Sequence, residues 1–317
     1  MKKTAAVCVC ALLGCGSRPL PVDDAAGRRD GSTVWRDGRT GRDGPPPVVF
    51  DLGVPPRDFV ASRIFLPSSA TVHKLGVDYN GDGNVDNALG SILGALSGIS
   101  GSLDLQQTLD SAVASGIALM LLRLQATDYV DTPAALGWSW VGKTQPCSSQ
   151  SCFDGSHTFP AVSDTKSPFT GRITAGKLHL GPSRLRFRFP IGAGNVLDLT
   201  LKQAFIDGRL AQPGVDKIED GVLAGAIDQS DMKTQIVPAL AQLLNELLAD
   251  PATAKQTHDT IIVLFDADKD GKISMLEVAQ NSIIKTFLSG DVDVDGDGVN
   301  EISLGLGFKA VSARIQP

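Results

Sequence analysis

The sequence predicts an α+β domain, with an antiparallel β-sheet or sandwich core and a helical excursion toward the C-terminus. Three observations predict it. RLRFRFPI places Leu185, Phe187, Phe189 and Ile191 on one face and Arg184, Arg186 and Arg188 on the other, the period of two of a half-buried strand. VLDLTLK repeats the pattern, with Leu197, Leu199 and Leu201 against Asp198, Thr200 and Lys202, and GAGN at 192–195 reads as the turn of an antiparallel hairpin. After Gln229 the period changes, because Ile236, Leu240, Leu243, Leu244 and Leu247 recur at helical spacing before Pro251.

The elements follow in order. Lys2 and Lys3 precede the short apolar run TAAVCVCALLG, far below the ~20 residues of a membrane-spanning helix and suited to the core of a secretory signal. The run ends in Leu12-Leu13-Gly14-Cys15, which resembles the lipobox of bacterial lipoproteins. That resemblance implies a signal peptide over 1–14, lipidation of Cys15, and an exported protein anchored at the bacterial outer membrane or cell surface, with the membrane as its partner. Gly16 lacks the aspartate that would imply inner-membrane retention. Residues 15–57 read as a tether: RDG recurs three times among Gly, Pro, Asp and Arg, and so few apolar side chains cannot offset the entropy of ordering.

Residues 58–317 read as a single β-rich domain. Candidate strands are DFVASRIFL, IALMLLRLQ, GWSWVGK, GRITAG, the Arg/Phe hairpin, QAFIDGRL and DGVLAGAI. Short strands with Gly-rich punctuation argue for an antiparallel sheet or sandwich. A helical segment spans about 230–289, with a second apolar stripe beginning at Leu276, and ISLGLGFKAVSARI returns to strand composition and rejoins the sheet. Two separate domains are the alternative.

The formal charge of the 317 residues is −6, and −8 once Lys2 and Lys3 leave, which excludes a generally basic nucleic-acid binder. Cys147 and Cys152 remain after Cys8, Cys10 and Cys15 are accounted for. Five residues apart in an exported chain, they are expected to form a local disulfide.

The acidity is concentrated in three loops. In DADKDGKISMLE, here loop B, Asp266, Asp268 and Asp270 stand at positions 1, 3 and 5, and Gly271 is at 6. The Lys272 carbonyl falls at 7, the apolar Ile273 at 8, Ser274 at 9 and Glu277 at 12. Such an oxygen-only set, with glycine for the sharp turn and a bidentate acid to close, is what a calcium ion needs. The loop resembles the EF-hand family over about 30 residues, and position 8 is where paired loops of that family touch.

Two further stretches share a related logic. Loop A offers Asp78, Asn80, Asp82, the Asn84 carbonyl and Asp86, and loop C offers Asp293, Asp295, Asp297, the Val299 carbonyl and Glu301. Both lack an acid at position 12, where Leu89 and Leu304 stand. They resemble the DxDGDG loops of dockerin and type 3 thrombospondin repeats, and calcium is the expected ion. Lying at opposite ends of the domain sequence, the two loops suggest a fold pinned at both ends.

Catalytic signatures are missing from the sequence: it contains no G-x-S-x-G, H-E-x-x-H, P-loop or C-x-x-C. His73, His157, His179 and His258 lie in four unrelated segments. Trp138 and Trp140 share a strand face and suit either packing or a sugar, and the arginine row suits either Asp198 or a polyanion. Taken whole, residues 58 to about 250 resemble a group of predicted bacterial lipoproteins, myxobacterial in flavour, in which a DxNGDGxxDNALG segment opens a β-rich domain. That resemblance bears on fold and location rather than activity. The expected function is a calcium-stabilised, lipid-anchored surface protein serving structure, adhesion or binding of a glycan, glycolipid or protein. A calcium-dependent hydrolase on carbohydrate or lipid and a carrier of apolar ligands are the alternatives.

Overall fold

The computed structural model describes residues 51–68, 70–99, 105–147, 152–191 and 196–317. The signal segment, Cys15, the tether up to residue 50 and the turn at 192–195 lie outside the described residues.

The core is an antiparallel sheet of eight strands that closes into a barrel. In barrel order these are β1 (Arg57–Phe65), β2 (Met120–Ala126), β3 (Thr132–Val141), β5 (Ser167–Thr174), β6 (Lys177–Pro190), β7 (Val196–Leu210), β8 (Lys217–Ile227) and β9 (Ile302–Ser312). A two-stranded parallel sheet joins β4 (Thr158–Pro160) to β10 (Arg314–Gln316). The sandwich alternative therefore gives way to closure: β9 pairs with β8 on one side and β1 on the other, which leaves no open edge.

The alternating segments set the barrel wall. Leu185, Phe187 and Phe189 of β6 and Leu197, Leu199 and Leu201 of β7 are buried in the main core. The arginines between them face out, where Arg188 pairs with Asp198 across the hairpin at 2.9 Å and Arg186 with Asp164 at 3.4 Å. Apolar-in and charged-out is the reverse of a barrel whose outer wall meets lipid. VLDLTLK and QAFIDGRL, two segments in the sequence, form the one strand β7, with a register shift between Lys202 and Phe205. Gln203 takes a left-handed φ of 45° there, the mark of a β-bulge.

A second, smaller cluster lies under the β4–β10 sheet, where Phe159 and Ile315 cover Val60, Leu121 and Trp140. Trp140 is therefore packing, and Lys166 sits 5.7 Å from both tryptophan ring centroids. The Cys147–Cys152 disulfide is present, and Cys152 belongs to this cluster.

Two helices unmarked in the sequence analysis close one end of the barrel: α1 (Ala88–Ile99) and α2 (Leu105–Ala114). Glycines weaken the helical signal of α1, but burial of Leu89, Ile92, Leu93, Leu105 and Leu109 in the main core outweighs it. Between β8 and β9 runs the helical segment: α3 (Gln229–Asp231), a π-turn at Met232–Ile236, α4 (Val237–Ala249), α5 (Lys255–Phe265), α6 (Met275–Gln280) and α7 (Ser282–Leu288). The π-turn leads into Pro238, which has no amide to donate back to the preceding turn. Of the expected second stripe, Leu276, Ala279, Ile283 and Phe287, Ala279 packs against the main core and Leu276 does not, while the side chains of Ile283 and Phe287 lie outside the described residues. Asn281 is extended between α6 and α7, so the register resets; Leu276 is 63% exposed, while Val278 and Ile284 are buried.

The tether expected to run to residue 57 docks before that point. The Gln125 amide donates to Asp51 at 2.7 Å and to the Val54 carbonyl at 2.6 Å.

Candidate metal centre

Each acidic loop folds its carboxylates inward over its own backbone, and the three do so in one pattern. The first acid accepts the amide of the glycine at position 6: Gly83 to Asp78 at 2.9 Å, Gly271 to Asp266 at 3.0 Å and Gly298 to Asp293 at 3.0 Å. The fifth-position acid accepts the next amide, Asn84, Lys272 or Val299, at 2.7–2.8 Å. The closing acid accepts the amide of position 2: Tyr79 to Asp86 at 2.7 Å, Ala267 to Glu277 at 2.7 Å and Val294 to Glu301 at 3.1 Å. A left-handed residue occupies position 4 as well as 6, namely Gly81, Lys269 and Gly296.

The loops differ in how many acids stand at positions 1, 3 and 5. One oxygen each from Asp266, Asp268 and Asp270 lies within 4.8 Å of the other two, and the same holds for Asp293, Asp295 and Asp297. Both triplets can hold a metal ion. Loop A has two acids at the corresponding positions, Asp78 and Asp82, because Asn80 takes the middle place; the Asn80 side-chain amide donates to Asp86 at 3.1 Å. Burial raises the pKa of the Asp86 carboxyl; the Tyr79 and Asn80 amides pull it back, and Asp291 and Asp78 push it up again.

Loop B sits between α5 and α6. Ser274 caps α6 in a reciprocal capping box, its hydroxyl accepting the Glu277 amide while Glu277 accepts the Ser274 amide at 2.8 Å. One carboxylate thus ties the start of the helix to the start of the loop. The Ser274 amide, the Ser274 hydroxyl and the Ala267 and Asp268 amides hold the Glu277 carboxyl below its ordinary pKa against the effect of burial.

Loops A and C meet at one end of the barrel rather than pinning opposite ends. The antiparallel register Phe65↔Gly307 sets the end of β1, which loop A follows, beside the middle of β9, which loop C precedes. Asn87, only 5% exposed, binds across the junction. Its side-chain oxygen accepts the Gly305 amide at 2.8 Å and the Gly90 amide at 3.0 Å, and its nitrogen donates to the Gly305 carbonyl at 3.0 Å. The Leu75–Gly76 backbone passes so close that a Cβ on Gly305 would collide with it. Ser303 adds a second tie, accepting the Ala88 amide and donating from its own amide to Asp291, both at 2.8 Å.

The bulge of β7 touches both loops. The Tyr79 hydroxyl donates to the Gln203 carbonyl at 3.1 Å. Lys202, one residue earlier, reaches loop C, with its ammonium 2.6 Å from Asp228, 2.9 Å from Asp295 and 2.8 Å from Glu301. Burial works to lower the Lys202 pKa, but hydrogen bonds to Asp228, Glu301 and Asp295 outweigh it and the net shift is upward. The same contact lowers the Asp295 carboxyl pKa. Glu301 is 2% exposed, a depth at which a carboxylate needs a cation. The sequence reading missed Lys202; its place among alternating strand residues gave no sign of it.

The histidines remain in separate settings. His179 lies 2.6 Å from Asp207 on the outer wall and stacks on Phe205, His157 packs edge-on to Phe159, His258 neighbours Asp259, and His73 stands in a short 3₁₀ turn.

Compared with protein-family models, curated proteins and solved structures, the chain matches none.

Proposed function

We propose that the protein binds calcium through loops A, B and C, that the ions stabilise the barrel, and that the domain serves a structural, adhesive or ligand-binding role at a bacterial envelope to which Cys15 anchors it. The carrying observation is the convergence of two carboxylate triplets to within 4.8 Å, about twice a calcium–oxygen bond of about 2.3–2.6 Å. The ligand atoms offered are oxygens throughout, carbonyls of Lys272, Asn84 and Val299 included, a choice that suits a hard cation and leaves out the nitrogen and sulfur sites that zinc favours. Loop B carries the full EF-hand set with Glu277 as closing acid. Loops A and C close at position 9 with Asp86 and Glu301, as an antiparallel bridge to Val77 and Val292 brings those acids back over the loop.

Two features favour a structural role for the ions over the alternatives. At the helical end of the barrel, the space among Leu89, Ile92, Ile236, Leu240 and Leu244 is about 30 Å³, room for about one water and not for an acyl chain. The four histidines occupy separate surroundings, so no two of them reach one substrate as an acid–base pair. The anchor at Cys15 and the envelope address rest on the lipobox-like segment. Calorimetric titration of the purified protein with calcium tests the proposal: heat from two or three sites by millimolar calcium is expected, and no uptake at that concentration overturns it.

A further inference from the structure

Among the described residues no second loop pairs with loop B, and a single side chain fills the companion's place. In α4 the Asn245 amide makes two reciprocal bonds to Ile273 at loop position 8. Its oxygen accepts the Ile273 amide at 2.9 Å and its nitrogen donates to the Ile273 carbonyl at 2.6 Å. Exchanging both a donor and an acceptor with one residue is what an opposing residue does in an antiparallel ladder. Asn245 is itself held, donating to Ala241 one turn earlier at 2.8 Å. Ile273 is 3% exposed and sits in the main core with Leu240, Leu243 and Leu244 of α4. Its neighbours are Lys272, whose carbonyl is the position-7 ligand, and Ser274, which caps α6.

We infer that Asn245 is a positioning residue that fixes the backbone of loop B and transmits its metal occupancy to α4 and the barrel core. The geometry argues this in two steps. An unpaired buried amide and carbonyl at Ile273 would each cost stability, so the Asn245 side chain stands in for a second loop. The bond from the Ile273 amide clamps the peptide that carries the position-7 carbonyl, and the bond to the Ile273 carbonyl clamps the next peptide, so ordering of the position-7 carbonyl by an ion restrains α4 as well. The inference rests on calcium binding at loop B.

Hydrogen exchange on the full chain with and without calcium, for the native sequence and Asn245→Ala, tests it. The substitution keeps α4 foldable, since Ala is the better helix former. Expected in EGTA is a loss of Ile273 amide protection of about ten-fold or more in Asn245→Ala. With calcium, protection across residues 240–248 should rise about ten-fold in the native chain and less than about two-fold in the variant, while calorimetry still records ion uptake at loop B. Equal rises in both chains would overturn the coupling, and unchanged Ile273 protection in EGTA would overturn the clamp. A native chain without calcium uptake would sink the calcium reading and the coupling together, and the EGTA measurement separates that failure from a failure of the clamp.

Discussion

Loops A and C close through a sheet, and loop B closes through a helix. In A and C the chain turns back after nine residues and bridges antiparallel to its own start, Val77 to Asp86 and Val292 to Glu301. The ninth residue then lies over position 2, and its acid reaches that amide. In loop B the ninth residue is the helix cap Ser274, and the acid comes three residues later. Side chains in the first turn of a helix point back toward its N-terminus, so Glu277 covers the same amide that Asp86 and Glu301 cover. The difference teaches that the closing acid's place in the sequence follows from the secondary structure behind the loop, while its place in space is constant. A further contrast separates C from B. Among the described residues, Lys202 supplies loop C with a cation of its own, whereas no lysine, arginine or histidine forms an ion pair with a loop B carboxylate.

The most damaging way to break this comparison is at the junction that loops A and C share. Asn87→Ala strands the Gly305 amide and carbonyl and the Leu75 carbonyl, all partnered by Asn87. It should cost about 3 kcal/mol, seen as a lower urea midpoint at unchanged slope. Glu277→Gln comes next: it should lower calcium affinity at loop B at least about ten-fold, about 1.4 kcal/mol. Calorimetry would show one binding event lost and the other loops unchanged. Stability in EGTA should fall as well, because Gln has one acceptor oxygen where Glu277 uses two, one for the Ala267 and Asp268 amides and one for Ser274.

Lys202→Met sharpens the contrast between B and C. It removes the ammonium that competes for Asp295 and Glu301, so calcium should bind loop C about ten-fold more tightly, while the protein without calcium should be less stable. An unchanged loop C affinity would mean the lysine and the ion do not share a place. The smallest effect is expected at position 4 of loop B, where Lys269 takes a φ of 64° and loops A and C have glycine. Lys269→Gly should gain less than about 1 kcal/mol, relief of left-handed strain being partly offset by a freer unfolded chain.

Much of the barrel wall was legible because strand alternation is local. Leu185, Phe187 and Phe189 announce their face without reference to anything distant, and the ligand spacing of loop B is written within twelve residues. Closure was not legible, since β1 meets β9 across more than 240 residues (Phe65↔Gly307) and nothing in either strand names its partner. Helix α1 escaped because glycine disguises it, whereas α2 does carry a legible helical stripe in Leu105, Leu109, Ala112 and Val113. Asn87, Lys202 and Asn245 share a reason. Each is an ordinary residue in its own segment and acquires a role only when Gly305, Glu301 or Ile273 is folded against it.

If ions in the acidic loops stabilise the barrel, thermal unfolding of the purified protein should differ between millimolar calcium and EGTA. A site at ten times its dissociation constant adds about 1.4 kcal/mol, so two or three occupied loops should raise the midpoint by about 5 °C or more in a domain of this size. Coincident unfolding curves in the two buffers would mean that calcium does not stabilise the barrel.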